Sequence, residues 1–200
     1  MRISLIGPFP PFRGGISDFN TALFNELNIS HDIQRINYST QYPKFLFPGK
    51  TQYKDNVGES PKSERILSTI NPYTWSKTVE NIIEFQHDLF VINYWMTFFV
   101  QVIRKVAESL KKKINIKIIV ICHNLIPHEK YGFNQFLTKM FLNKIDRFVF
   151  MSESVKLDLL KIVPYAKYRL TPHPIYNIFG NTIDKDIARQ NLGIKAKNVI

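Results

Sequence analysis

A chain of 200 residues has room for one sizeable domain and only marginally for two. Hydrophobic residues at 44% and charged residues at 22% are those of an ordinary globular protein, and the single cysteine, Cys122, excludes a disulfide framework and fits a reducing compartment. A formal net charge of +11 points to nucleic acid, an anionic membrane surface or an anionic substrate, against the plain alternative of solubility in a lysine-rich proteome.

Residues 2–7 read as a strand and 16–27 as an amphipathic helix. Between them lies Pro11-Phe12-Arg13-Gly14-Gly15-Ile16-Ser17, the most informative stretch of the chain. Adjacent glycines leave backbone N–H groups uncovered by any Cβ beside the positive end of a helix dipole, which suits a phosphate. The plainer reading is a tight turn, with Ser17 or Asp18 capping the helix. Too few apolar residues precede Pro8 for the core of a signal peptide.

Residues 31–38 form a plausible second strand, and 40–63, with Pro43, Pro48, Gly49, Gly58 and Pro61, read as a long loop. Asn71-Pro72 opens a helix to about Phe85. Residues 88–93 and the β-branched run 116–122 read as buried strands. Between them 97–112 form a helix with Phe98, Phe99, Val102, Ile103, Val106, Ala107 and Leu110 on one face and Arg104, Lys105, Glu108, Lys111 and Lys112 on the other. The longest uncharged run, 89–103, is shorter than the ~18 residues of a spanning helix. The expectation is a cytoplasmic, non-spanning protein.

A helix over 134–143, a strand over 146–151, a helix to about Ile162 with Ser152 or Ser154 as cap, and a short strand over 167–171 complete the series. Alternation of strands and helices, with strands apolar on both faces, predicts an α/β, Rossmann-like doubly wound parallel sheet flanked by helices. The chain leaves the sheet after Thr171-Pro172-His173-Pro174-Ile175, enters a polar helix over 184–191, and closes on Lys197-Asn198-Val199-Ile200, which reads as a strand just beginning. His31 and His87 look like surface residues, and His173, between Pro172 and Pro174, marks a domain crossing.

Three segments carry a resemblance: Gly7-Pro8-Phe9-Pro10-Pro11-Phe12-Arg13-Gly14-Gly15-Ile16 after the first strand, Cys122-His123-Asn124-Leu125-Ile126-Pro127-His128-Glu129 after the central strand, and Val149-Phe150-Met151-Ser152-Glu153-Ser154 before a helix. In this order, with Thr171-Pro172-His173-Pro174 and Leu192-Gly193-Ile194 behind them, they resemble the N-terminal domain of the family 4 retaining glycosyltransferases of the GT-B fold. The resemblance implies two Rossmann-like domains across a cleft. Residues 1–175 would be the acceptor-binding domain, and 176–200 the linker and start of a C-terminal nucleotide-sugar-binding domain. These 200 residues alone would then be inactive.

The resemblance implies roles for individual residues. Gly14 and Gly15 would face the donor diphosphate, with backbone N–H groups stabilising its charge without a metal or other cofactor. His123, at the carboxyl end of the central strand where open α/β sheets place their crevice, would be the catalytic-site histidine, bonding a sugar hydroxyl or stabilising developing charge. The plainer reading makes it a structural histidine on a nearby carbonyl. Arg13, Asn124, His128 and Glu129 are acceptor-binding candidates, and His123 and His128 do not form a metal pair.

The expected partners are a nucleotide sugar, which is a co-substrate, and a carbohydrate or lipid-linked glycan acceptor. Peripheral contact with anionic lipid is expected through the basic face of 97–117 and through the loop bearing Lys44, Phe45, Phe47 and Lys50, with a solvated helix face as the plainer reading. A dinucleotide-binding oxidoreductase is rejected, because Gly7 and Gly14-Gly15 lack the Gly-x-Gly-x-x-Gly spacing and Asn37-Tyr38 stands where an acidic residue is required. The remaining alternative is a stand-alone polyanion or nucleic-acid-binding α/β module.

Overall fold

The computed structural model describes residues 1–43, 51–54, 63–125, 132–175 and 180–194. Among them β1 (Arg2–Ile6), β2 (Asp32–Thr40), β3 (Glu64–Ser68), β4 (Leu89–Tyr94), β5 (Lys117–Cys122), β6 (Arg147–Phe150) and β7 (Tyr168–Leu170) make one parallel sheet in the order β3-β2-β1-β4-β5-β6-β7. The helices are α1 (Gly15–Leu27), α2 (Tyr73–Glu84), α3 (Val100–Lys113), α4 (Gly132–Leu142), α5 (Glu153–Ile162) and α6 (Lys185–Asn191).

Side chains alternate between the faces of each strand, and both faces of this sheet are apolar. On one face Ile6, Ile36, Phe90, Ile92, Tyr94, Ile118, Val120 and Cys122 pack with Val79 and Ile82 of α2, Val102, Ile103, Val106 and Leu110 of α3, Phe141 and Leu142 of α4, and Val155 and Leu159 of α5. On the other, Ile3, Leu5, Val91 and Ile121 pack with Phe19 and Phe24 of α1. Burying a side chain of this size contributes roughly 1.5–3 kcal/mol, which offsets the ordering of a continuous apolar strand. This is the expected Rossmann-like fold.

Four elements differ from the sequence expectation. The second strand extends to Thr40, and β3 stands just after the expected loop over 40–63, where no element is expected. The helix expected over 97–112 begins as a 3₁₀ turn, Thr97–Phe99, before α3. The helix N-terminus after the glycines has neither Ser17 nor Asp18 as its cap: the N-cap is Gly14, whose carbonyl accepts from Ser17 N (3.0 Å) and Asp18 N (3.2 Å). Ser152 does cap α5, accepting from Val155 N at 3.4 Å.

The chain passes from β1 through α1 to β2 and β3 on one side, then returns through α2 to β4 on the other side of β1. Strand order therefore reverses between β1 and β4, and a crevice opens at their carboxyl ends. Because α3 links two parallel strands it runs back against them. Lys111, Lys112 and Lys113 thus emerge at the amino end of the sheet, opposite that crevice. On the basic face of α3, Arg104 pairs with Glu108 and Lys111 with Asp146, while Lys105, Lys112 and Lys113 are exposed.

Candidate functional site

The loop after β1 is fixed at both flanks. Asn37, fully buried in β2, accepts from Phe9 N (3.2 Å) and donates to the carbonyls of Phe9 (3.1 Å) and Pro10 (3.3 Å). Residues 51–54 lie along its other side: Arg13 N donates to Gln52 O (2.9 Å), Lys54 N donates to Pro11 O (2.9 Å), and Phe12 bridges Tyr53. Lys54 Nζ reaches Asp18 Oδ1 at 2.6 Å, joining this segment to the first turn of α1. Buried Phe12 meets Tyr53 at a tilt of 35°, with ring centroids 5.3 Å apart, and the Arg65 guanidinium lies 5.4 Å from both rings.

Held this way, Gly14 and Gly15 are exposed and an added Cβ at either would meet nothing within 4 Å. Gly14 has φ +118°, a conformation that side-chain-bearing residues rarely adopt. Ser17 and Asp18 use their N–H groups on Gly14, so the N–H groups of Gly15 and Ile16 are the unspent donors at the start of α1. An anion can approach them and gain the dipole of a 13-residue helix. Arg13 is exposed beside them.

Strand parity and register place His123. Asn93 shares a face with Val91, and His123 continues the row of Ile119 and Ile121, both on the α1 side of the sheet. His123 N donates to Tyr94 O (2.8 Å), and its Nε2 lies 3.0 Å from Asn93 Oδ1. Phe19 of α1 meets the imidazole edge to face, with ring centroids 4.8 Å apart, and the His173 ring lies 5.7 Å from Phe19. Burial, reinforced by the nearby charge of His173, pushes His123 down to about 4. It is therefore a neutral imidazole at neutral pH.

The structure thus brings Gly14, Gly15 and His123 to one end of the sheet, the first two on the loop from β1 and the third at the end of β5. Asn124 is exposed beside His123. His128 and Glu129, like Lys44, Phe45, Phe47 and Lys50, lie outside the described residues. Sequence reasoning missed Asn93, a polar residue at the end of an apolar strand, and Phe19, which reads as core. His173, read as marking the domain crossing, also places its ring 5.7 Å from Phe19.

His87, expected at the surface, is buried. Its Nδ1 lies 2.6 Å from Ile82 O and its Nε2 2.5 Å from Ser4 Oγ, because the chain turns inward at Gln86, which has φ 56°. His31 is half-exposed.

The sequence matches no protein-family model and no curated protein. Solved structures do match. One is a sucrose-phosphate synthase chain from Thermosynechococcus elongatus, with TM-score 0.53 and 16% identity over 97% of each chain. HepE from Anabaena in complex with UDP-glucose matches with TM-score 0.64 and 12% identity, over 96% of this chain and 50% of that one. A trehalose-6-phosphate synthase from E. coli bound with UDP-2-fluoro glucose matches with TM-score 0.54 and 13% identity, over 98% of this chain and 55% of that one.

The fold is that of GT-B glycosyltransferase structures. At these identities the likeness is one of architecture. This chain spans about half the length of HepE and of the trehalose-6-phosphate synthase, and nearly all of the sucrose-phosphate synthase chain.

Proposed function

We propose that this chain is the acceptor-binding half of a retaining, family 4 glycosyltransferase that moves a sugar from a nucleotide-sugar donor to a carbohydrate or lipid-linked glycan acceptor. The observation that carries the reading is the pairing of an open Gly14-Gly15 helix start after β1 with a neutral His123 after β5, both at the carboxyl end of the sheet. The Gly15 N–H takes a diphosphate oxygen, and Gly14 lets the chain turn without covering it. His123 contacts a sugar hydroxyl, and Arg13, Asn124, His128 and Glu129 hold the acceptor. The diphosphate leaves with its charge held by backbone N–H groups, with no metal required of this half.

The two solved structures with bound UDP-sugars support a nucleotide sugar as the partner. Residues 1–175 form the acceptor domain, and 176–200 lead into the donor domain, so the 200 residues alone lack transferase activity. The protein works in the cytoplasm, in polysaccharide biosynthesis, with exposed Lys105, Lys112 and Lys113 available to anionic lipid. No described helix is long and apolar enough to cross a membrane. A stand-alone nucleic-acid module is the weaker reading, since two of the basic residues of α3 are already paired with carboxylates.

The test is to extend the chain to its natural stop and assay hydrolysis and transfer with a panel of UDP- and GDP-sugars. Donor-dependent transfer by the long form, absent from the 200 residues and lost in Gly15→Val and His123→Ala, is the expected result. Folded long protein inert toward every donor, alone and with glycan acceptors, would overturn it.

A further inference from the structure

Asn93 sits on β4, which takes the middle of the sheet where the sequence suggests its neighbour β5, and is 1% exposed, on the face that holds Val91, Ile121 and Phe19. An amide here carries a cost. Its Nδ2 has no hydrogen-bond partner among the described residues, and an unpaired buried donor costs about 1–3 kcal/mol. An aliphatic side chain at this position would avoid that loss. What the amide supplies is one contact, Oδ1 at 3.0 Å from His123 Nε2.

The direction of that bond follows from the amide itself. Asn93 Oδ1 is the atom that faces His123 Nε2, and an amide oxygen can only accept, so the imidazole donates.

We infer that Asn93 is the positioning residue of this site: it takes the Nε2 proton of His123 and so leaves Nδ1 bare, as an acceptor for a ligand hydroxyl. A neutral imidazole has one proton to give, and Asn93 holds it. His123 then offers a ligand a lone pair, which suits the O–H of a sugar and not an oxygen of a phosphate. Its use on a sugar rests on the glycosyltransferase reading; the proton arrangement does not.

The test is long-range ¹H–¹⁵N correlation on the ¹⁵N-labelled chain at pH 7, with the His123 signals assigned by their loss in His123→Phe. The expected result is the Nε2–H form in the wild type, retained in Asn93→Asp, where an oxygen acceptor remains, and shifted toward Nδ1–H in Asn93→Leu. A wild-type signal of the Nδ1–H form overturns the inference without any variant. So does an Nε2–H form that is unchanged in folded Asn93→Leu. The measurement uses no substrate, so failure of the sugar-transfer assay leaves this result standing and the two can be told apart.

Discussion

Ser4 Oγ and His87 Nε2 lie 2.5 Å apart between β1 and the residues that follow α2. The pair belongs to a buried chain of polar groups. Ser4 Oγ also lies 3.0 Å from Gln34 Oε1, and Gln34 Nε2 donates to Asn81 Oδ1 at 2.7 Å. Removing one partner leaves the next group buried and unpaired, which costs about 1–3 kcal/mol. His87→Phe and Ser4→Ala are each expected to lower the free energy of chemical unfolding by that amount while leaving the His123 resonances unmoved. Unchanged stability in both variants would mean that the chain of bonds contributes nothing.

Gly14 and Gly15 separate by backbone angle. Only Gly14 has a positive φ, +118°, so Gly14→Ala is expected to cost roughly 1–3 kcal/mol. Gly15→Ala meets open space and is expected to leave stability within about 0.5 kcal/mol. Thermal unfolding of the two variants checks this, and equal losses would refute it.

At Gly7 the obstacle is contact. A Cβ there would sit 2.3 Å from Asn20 Nδ2, and Asn20 is tied to Pro8 O. Gly7→Ala is expected to destabilise by about 1–3 kcal/mol, as overpacking does. In Asn20→Ala the clash is relieved, so the loss from Gly7→Ala should shrink in the double mutant; strictly additive losses would rule out this contact.

His123 stands at about 4, against an ordinary value of 6.5. As pH falls through 6.5 the unfolded chain takes the proton first, so the folded state loses stability progressively down to about 4 and regains nothing below. Burial lowers His87 in the same direction. Denaturant melts between pH 7 and 4.5 are expected to show a smaller acid loss in His123→Phe than in the wild type. Parallel losses would assign the acid sensitivity elsewhere.

The strands and helices legible in the sequence are those whose side chains state their own burial. Residues 116–122 are apolar on both faces, and α3 divides into an apolar stripe and a charged one. Glu64-Arg65 hid β3, because an edge strand can keep charge on its exposed half and five residues show little period. Gln86 and Asp88 made His87 look superficial, since local polarity does not reveal which way a turn at φ 56° swings the next side chain. The glycine pair and His123 were legible as a candidate site because both follow strands. Asn93 was not. Its importance depends on the β4–β5 register, which brings residues 30 apart in sequence into contact.

The orientation of α3 sets a length. Its 14 residues carry the chain about 20 Å from the crevice end of the sheet to Lys111, Lys112 and Lys113. Were those lysines to rest on lipid headgroups, the crevice would open into the aqueous phase about that far above the bilayer. A sugar attached directly to a headgroup would be out of reach. On the glycosyltransferase reading proposed above, an acceptor able to arrive would then have to carry its reactive hydroxyl at the end of several residues of glycan.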